Sequence, residues 1–224
     1  MREIVLDTET TGLDPKSGHR VVEIGCVELI NHMATDNTYW TYINPERDMP
    51  EEAFRVHGLS AEFLEDKLKF ADIADGFLEF IGGDPLIIHN ADFDMGFLNA
   101  ELAACGRQQL EMGRAIDTVR MARQKFPGSP ANLDALCRRF QIDNSDRELH
   151  GALKDSRLLA DVYLELIGGR QQHLALAGDK QTANAPCTPN ARAHRPSRPH
   201  TASSQELADH QAFVERLKEP VWRA

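Results

Sequence analysis

The sequence has few cysteines and no pattern that would join them. Its 224 residues include four, at positions 26, 105, 137 and 187, and no two of them are spaced as C-x-x-C. This spacing excludes the usual zinc-ligand pattern and indicates no disulfide framework. Free thiols in such a chain are typical of the cytosol.

Long apolar runs are also missing. No stretch of the chain approaches the ~20 consecutive apolar residues that a membrane-spanning helix needs. The first residues have the pattern of a strand rather than that of a charged and then apolar leader, so we expect no signal peptide. We therefore expect a cytoplasmic protein that does not contact a membrane.

Positive charge is scarce in the first three quarters of the chain. Residues 1–169 carry 17 Lys and Arg against 30 Asp and Glu, whereas residues 170–224 carry 8 against 5. An acidic body of this kind does not hold a nucleic acid by charge alone. If the substrate is a polyanion, the body needs metal ions or a tethered partner to hold it.

The apolar periodicity predicts a mixed α/β sheet flanked by helices. Three strands come first and are followed by helices that alternate with single short strands, which is typical of this class. The predicted strands are residues 4–6, 20–30, 39–43, 86–89 and 115–117, and the predicted helices are 50–57, 70–81, 90–105, 118–126, 132–140 and 151–167. We expect one domain over residues 1–168.

The composition changes after Gly168. Residues 169–204 are rich in small and polar residues, cannot bury a core, and are predicted to form a flexible linker. Residues 205–224 form a tail in which Leu207, Val214 and Leu217 follow at helical spacing. Ser203 and Glu206 resemble a capping box at its start.

Two acids follow the first buried strand. Asp7 and Glu9 lie two residues apart, so in an extended strand both carboxylates point to the same face. Such a pair repels itself unless a cation lies between the two groups, and hard oxygen ligands suit Mg²⁺ or Mn²⁺. The alternative is that these acids only cap a turn.

Three later residues belong with this pair. Asp94 lies beside an apolar helical stripe, and Asp155 shares a helical face with apolar residues, where a carboxylate is costly unless it is paired or metal-bound. His150 precedes Asp155 by five residues. Taken singly, each acid could instead lie in the first turn of a helix because the helix dipole favours a negative charge there. The histidine could likewise be structural.

Together these residues form three motifs that resemble those of the DEDD exonuclease superfamily. They are Asp7-Thr-Glu9, His89-Asn-Ala-Asp-Phe-Asp94, and His150-Gly-Ala-Leu-Lys-Asp155. The histidine five places before the last aspartate is typical of the His-type branch. The resemblance continues through VVEIG, AFRVHG and LDALC, and it extends to the proofreading subunits of bacterial replicative DNA polymerases.

The resemblance implies a ribonuclease H-like fold and hydrolysis of single-stranded DNA from its 3′ end, releasing nucleoside 5′-monophosphates. It implies two Mg²⁺ or Mn²⁺ ions held by Asp7, Glu9, Asp94 and Asp155, with Asp7 bridging both. His150 is the implied general base. Asp7, Glu9 and Asp155 are also implied to meet the substrate, as are Glu52 and His57 at the terminal nucleotide; for the last two, an exposed helix end is the alternative.

The implied partners bind outside the catalytic body. The tail is expected to bind the polymerase (alpha) subunit, and Gln171, Leu174 and Leu176 resemble a short sliding-clamp motif. Whether a small accessory subunit also binds the body stays open.

Two other functions fit parts of the chain. One is an RNA-trimming exonuclease, which would not need the tail, and the other is a non-enzymatic bridge, which would not need the five motif residues.

Overall fold

The computed structural model describes residues 1–145, 149–169 and 201–217. The chain divides into two compact units, Met1–Ala175 and Leu176–Ala224. The first unit contains the sheet and all three sequence motifs. No helix in the described residues is long and apolar enough to cross a membrane.

A five-stranded mixed sheet forms the centre of the first unit. The strand order is β3-β2-β1-β4-β5, with β1 antiparallel to β2, β2 antiparallel to β3, and β1, β4 and β5 parallel to one another. This agrees with the predicted α/β class. The strands are β1 (Arg2–Thr10), β2 (Val21–Ile30), β3 (Met33–Tyr42), β4 (Leu86–Ile88) and β5 (Ala115–Asp117).

Helices cover both faces of this sheet. Ile4 and Leu6 of β1 face one core cluster and Val5 faces the other, because successive side chains of a strand alternate. The first cluster includes residues of α3 and α4, and the second includes residues of α6 and α7. The helices are α1 (Glu51–His57), α2 (Ala61–Leu64), α3 (Phe70–Ile81), α4 (Ala91–Ala104), α5 (Thr118–Lys125), α6 (Leu133–Phe140) and α7 (Ala152–Leu166).

Two strands are longer than the sequence predicts. The predicted strand 39–43 begins at Met33 in the structure, because Asn31 and His32 both have positive φ and form a two-residue hairpin turn into it. Most residues of this edge strand are polar or exposed, so the spacing of apolar residues does not indicate where the strand begins. Strand β1 also continues to Thr10, so Asp7 and Glu9 lie inside the strand rather than beyond its end.

The second unit contributes one described helix, α8 (Ser204–Glu215). Its start agrees with the predicted capping box: Ser203 and Glu206 exchange side-chain to backbone hydrogen bonds. The clamp-like residues Gln171, Leu174 and Leu176, most of the predicted linker and the end of the tail lie outside the described residues. The predicted domain boundaries therefore stay predictions.

Candidate active site

Strand β1 places two acids on one face of the sheet. Asp7 pairs with Gly25 of β2, and Glu9 pairs with Glu23 two positions further along. Both acids share the parity of Val5, whose side chain contributes to the core cluster beneath α7. The sequence prediction that the two carboxylates lie on one face agrees with this geometry.

The start of α7 brings the third motif to these acids. Asp155 lies in the first turn of the helix and is only 3 % exposed, whereas the His150 side chain just before the helix is half-exposed. His150 Nδ1 lies 3.4 Å from Asp155 Oδ2. One ligand atom each from Glu9, His150 and Asp155 lies within 4.8 Å of the others, so these three residues form a compact group.

Asp94 approaches from the other face of the sheet. The pairing of β1 with β4 ends at Leu6 and Ile88. Two residues further along β1, the partner of the strand is the side chain of Asp94 in α4, which contacts Thr8. Its Oδ1 accepts hydrogen bonds from Thr8 N at 3.1 Å and from Thr8 Oγ1 at 2.7 Å. Thr8 thus links Asp94 to the strand segment between Asp7 and Glu9. Among the described residues, Asp7 and Asp94 lie outside the 4.8 Å group.

Burial makes Asp94 a weaker acid than an exposed aspartate. Desolvation raises the pKa of Asp94 from 3.8 to about 7, although the Thr8 hydrogen bonds oppose the change. A carboxyl whose pKa is higher in the folded than in the unfolded state stabilises the fold most at low pH. That contribution is lost as the pH rises from 3.8 towards 7.

We therefore expect Asp94→Asn to stabilise the metal-free protein at neutral pH. The amide oxygen can still accept the Thr8 hydrogen bonds, but the buried negative charge is gone. In EDTA, we compare the melting temperature of the variant with that of wild type at each pH. The difference (variant minus wild type) should increase by ~2 °C or more between pH 4 and pH 7. The exposed neighbour Asp92→Asn is the control, and a difference for Asp94→Asn that does not change with pH would contradict this account.

A cavity of about 550 Å³ opens beside this group. Glu9, Thr10, Glu52, His57 and Phe93 contribute to its lining. A space of this size is typical of a site for a small molecule or a nucleotide. Glu9 belongs both to the cavity wall and to the compact group, so a ligand in the cavity would lie next to the acids.

His57 lines this cavity and has a buried ring nitrogen. Its Nδ1 accepts a hydrogen bond from Leu59 N at 3.0 Å, so a neutral ring carries its proton on Nε2. Nε2 is buried and makes no hydrogen bond within the described part of the chain. Burial lowers the pKa of His57, which favours this neutral form, while the Thr10 backbone partly opposes the shift and His150 adds to it.

Glu52 and His57 differ in their surroundings. Glu52 is exposed on α1, while His57 is buried, so the alternative of an exposed helix end fits Glu52 and not His57. Sequence reasoning missed Thr8 and Phe93, which join the motif residues in three dimensions. Phe93 was visible in the sequence as the aromatic next to Asp94, and Thr8 as the residue between the two first acids.

The donor set suits a divalent cation. Two nearly buried carboxylates, Glu9 and Asp155, converge with a histidine, and a bound cation offsets the mutual repulsion of such acids. Carboxylate oxygens are the ligands that hard divalent ions prefer. Asp7 on the same strand face adds a further oxygen donor nearby.

Comparison with known proteins defines the class. The exonuclease family model (RNase_T) matches residues 4–163, which include all three motifs. The solved nuclease domain of 3′hExo, a DEDDh family member bound to rAMP, aligns with a TM-score of 0.64 at 17% identity, covering 74% of this chain and 91% of that one. Exonuclease X in complex with 5′ overhanging duplex DNA aligns with a TM-score of 0.60 at 24% identity, covering 74% and 90%. The chain belongs to this exonuclease family.

Full-length relatives define the family more narrowly. The chain is 52% identical to DNA polymerase III subunit epsilon of Rickettsia conorii, over 97% of this chain and 96% of the relative. It is 40% identical to the subunit of the same name from Escherichia coli, over 100% and 98%. The chain belongs to the DNA polymerase III subunit epsilon family.

Proposed function

We propose that this protein is the 3′–5′ exonuclease that proofreads for the replicative DNA polymerase. The observation that carries the proposal is the compact group of Glu9, His150 and Asp155 beside a nucleotide-sized cavity. The reaction is hydrolysis of the 3′-terminal phosphodiester of DNA, and the product is a nucleoside 5′-monophosphate.

Two Mg²⁺ or Mn²⁺ ions are the proposed cofactors. Asp7, Glu9, Asp94 and Asp155 would hold them, because all four are carboxylates from motifs that meet around β1. Bound ions of this kind polarise the phosphate and stabilise the charge that develops on the attacking and leaving oxygens. The raised pKa of Asp94 fits such a role, since a cation favours the ionised form of a carboxyl that burial disfavours.

His150 is the proposed general base. Its side chain is half-exposed, so water reaches the ring, and a histidine is a common general base in proteins. It can therefore take the proton of the attacking water. Asp155, with Oδ2 at 3.4 Å from His150 Nδ1, helps to set the direction of the ring.

The cavity is the proposed site of the 3′-terminal nucleotide. His57 would donate from Nε2 to a sugar or phosphate oxygen, and Glu52 would accept from a hydroxyl. Phe93 lines the same space and offers an aromatic face to the base. These contacts hold the terminal nucleotide so that its phosphodiester lies at the acids.

An RNA-trimming exonuclease is the second candidate function. The fold neighbours include a DEDDh domain that is bound to rAMP, so the fold alone does not separate DNA from RNA. Digestion of matched DNA and RNA oligonucleotides under the same conditions tests this choice. We expect faster digestion of the DNA strand, and faster digestion of the RNA strand would favour the second candidate.

The tail is the proposed link to the polymerase (alpha) subunit of DNA polymerase III. In helix α8, Leu207 and Phe213 are exposed, and exposed apolar side chains on a helix are available to dock into a groove of a partner protein. Tethering raises the local concentration of the nuclease at the primer end. An acidic body can then act on DNA without holding it tightly.

A chain that ends after Gly168 is expected to stay folded and active but to lose polymerase binding. The sheet, its helices and all motif residues precede this point, so neither the core nor the site is cut. Gel filtration with the polymerase, alongside a single-stranded DNA digestion assay, measures both properties. The full chain with Leu207→Ser and Phe213→Ser is the matched control for the helix, and equal polymerase binding by the truncated and full chains would remove the tail as anchor.

The clamp motif has a separate test. Gln171→Ala with Leu174→Ala is expected to weaken binding to the sliding clamp while leaving nuclease activity and polymerase binding as they are. Surface plasmon resonance on immobilised clamp measures the affinity. Unchanged affinity would remove Gln171, Leu174 and Leu176 from the proposal.

The remaining partners follow from the family. A cytoplasmic location, at the nucleoid during replication, is where a replicative polymerase works. A small accessory subunit that binds the body is a further proposed partner, and co-purification with the full chain identifies it together with the polymerase.

A further inference from the structure

The start of helix α7 lacks a cap of its own. Gly151 occupies the N-cap position and has no side chain to accept a hydrogen bond from the first turn. The free N–H groups at a helix start normally need such an acceptor. This turn matters because it carries Asp155 and follows His150 directly, so its position sets the position of both side chains.

A buried carboxylate from the sheet supplies the missing acceptor. Glu23 of β2 is 4 % exposed, and its Oε2 accepts a hydrogen bond from Ala152 N at 3.1 Å. Its Oε1 accepts from Trp40 Nε1 of β3 at 2.6 Å. Glu23 therefore joins the edge strand β3 to the first residue of α7, three residues before Asp155.

The helix start lies directly on the strand at this point. A Cβ on Gly25 would lie 2.2 Å from the carbonyl carbon of Ala152 and from Leu153 N, so only glycine permits this approach. Ser156 Oγ donates to the Gly25 carbonyl at 2.8 Å and makes a second link between strand and helix. This close approach is what brings Ala152 N within reach of Glu23.

The location of Glu23 is costly for a residue with only a packing role. It lies directly opposite Glu9 on the neighbouring strand, where like charges destabilise a sheet. A neutral residue would avoid this cost, but it would not accept from both Trp40 and Ala152.

We propose that Glu23 is a positioning residue that holds the α7 start, and with it Asp155 and His150, in register with Glu9. The inference rests on the proposed function of this site. Glu23 does not touch the substrate; it acts through the helix start that it caps. Displacing a catalytic group by ~1 Å can lower the rate by ~10²-fold.

The test compares two substitutions of Glu23, one that keeps a hydrogen-bond acceptor for Ala152 N and one that removes it. In a Trp40→Phe background, Glu23→Gln keeps an oxygen for Ala152 N and no longer faces a second donor, whereas Glu23→Leu removes the acceptor. The kcat and KM for a 5′-labelled single-stranded DNA oligonucleotide are measured with Mg²⁺, and Mn²⁺ affinity is measured by calorimetry. Thermal melting gives the stability of each variant.

We expect Glu23→Leu to lower kcat by ~10-fold or more relative to Glu23→Gln in this background, with KM changed by less than ~3-fold and with weaker Mn²⁺ binding. Glu3→Leu is the matched control. Glu3 is also a buried carboxylate, 1 % exposed, and its Oε1 accepts from Tyr163 Oη at 2.8 Å on the same helix. This variant should lower the melting temperature but leave kcat near that of wild type.

Three results of the kinetic assays would overturn the inference. The Leu and Gln variants could have equal kcat, the Gln variant could fail to restore turnover, or Glu3→Leu could lower kcat as much as Glu23→Leu does. None of these affects the proposed function, which fails instead if Asp155→Ala stays active. A Leu variant that melts below the assay temperature while the Gln variant folds and turns over normally would also overturn it, because the role would then be stability alone.

Discussion

Asp155→Ala is expected to lower turnover on single-stranded DNA by ~10³-fold or more, the scale on which single members of a catalytic group act. Asp155 is buried in the first turn of α7 and lies within 4.8 Å of Glu9 and His150 through their ligand atoms. Its loss removes a proposed metal ligand and the partner of His150. Asp7→Ala should have a similar effect, because Asp7 supplies an oxygen from the same strand face as Glu9.

The loss of activity should not come from unfolding. Removing one acid from a group of repelling acids relieves strain rather than creating it, so the melting temperature should stay close to that of wild type. Asp161→Ala, at an exposed position on the same helix, is the control and should keep its activity. Activity of Asp155→Ala within tenfold of wild type would refute the assignment of this site.

His150→Ala is expected to lower kcat at neutral pH by ~10²-fold or more, the usual contribution of a general base. The variant should still bind Mn²⁺ in calorimetry, because the carboxylates remain. The pH dependence of kcat should be weaker in the variant than in the wild type, because a general base makes the rate depend on pH. Since the ring is half-exposed, imidazole added to the buffer should restore part of the rate.

The result that would contradict this role is clear from the same data. A variant with wild-type turnover at neutral pH would make His150 structural. A variant that loses Mn²⁺ affinity together with turnover would make it a metal ligand rather than a base, because its Nδ1 lies close enough to Asp155 for that alternative.

Local sequence patterns predicted most of the elements that carry the site. The helix over residues 70–81 has the predicted bounds, since its apolar residues repeat at helical spacing. The start of α7 was predicted within one residue, because the pattern changes at Gly151. Alternation along β1 placed Asp7 and Glu9 on one face, and the three motifs selected the acids that are proposed as metal ligands.

Contacts between distant residues could not be predicted in this way. Asp94 bonds to Thr8 across 86 residues, and Ala152 bonds to Glu23 across 129 residues. Such pairs depend on which strands are neighbours and on how closely a helix approaches them. The burial of His57 has the same origin. The sequence of its short helix suggests an exposed position, and His57 is covered only once the chain has folded.

The most direct test of the proposed function uses a primer–template whose 3′-terminal nucleotide is mispaired and whose primer carries a 5′ label. With Mg²⁺, the full chain is expected to shorten the primer one nucleotide at a time from the 3′ end, to release nucleoside 5′-monophosphates, and to stop when EDTA is added. Shortening from the 5′ end, internal cleavage, or digestion that continues undiminished in EDTA would contradict the account.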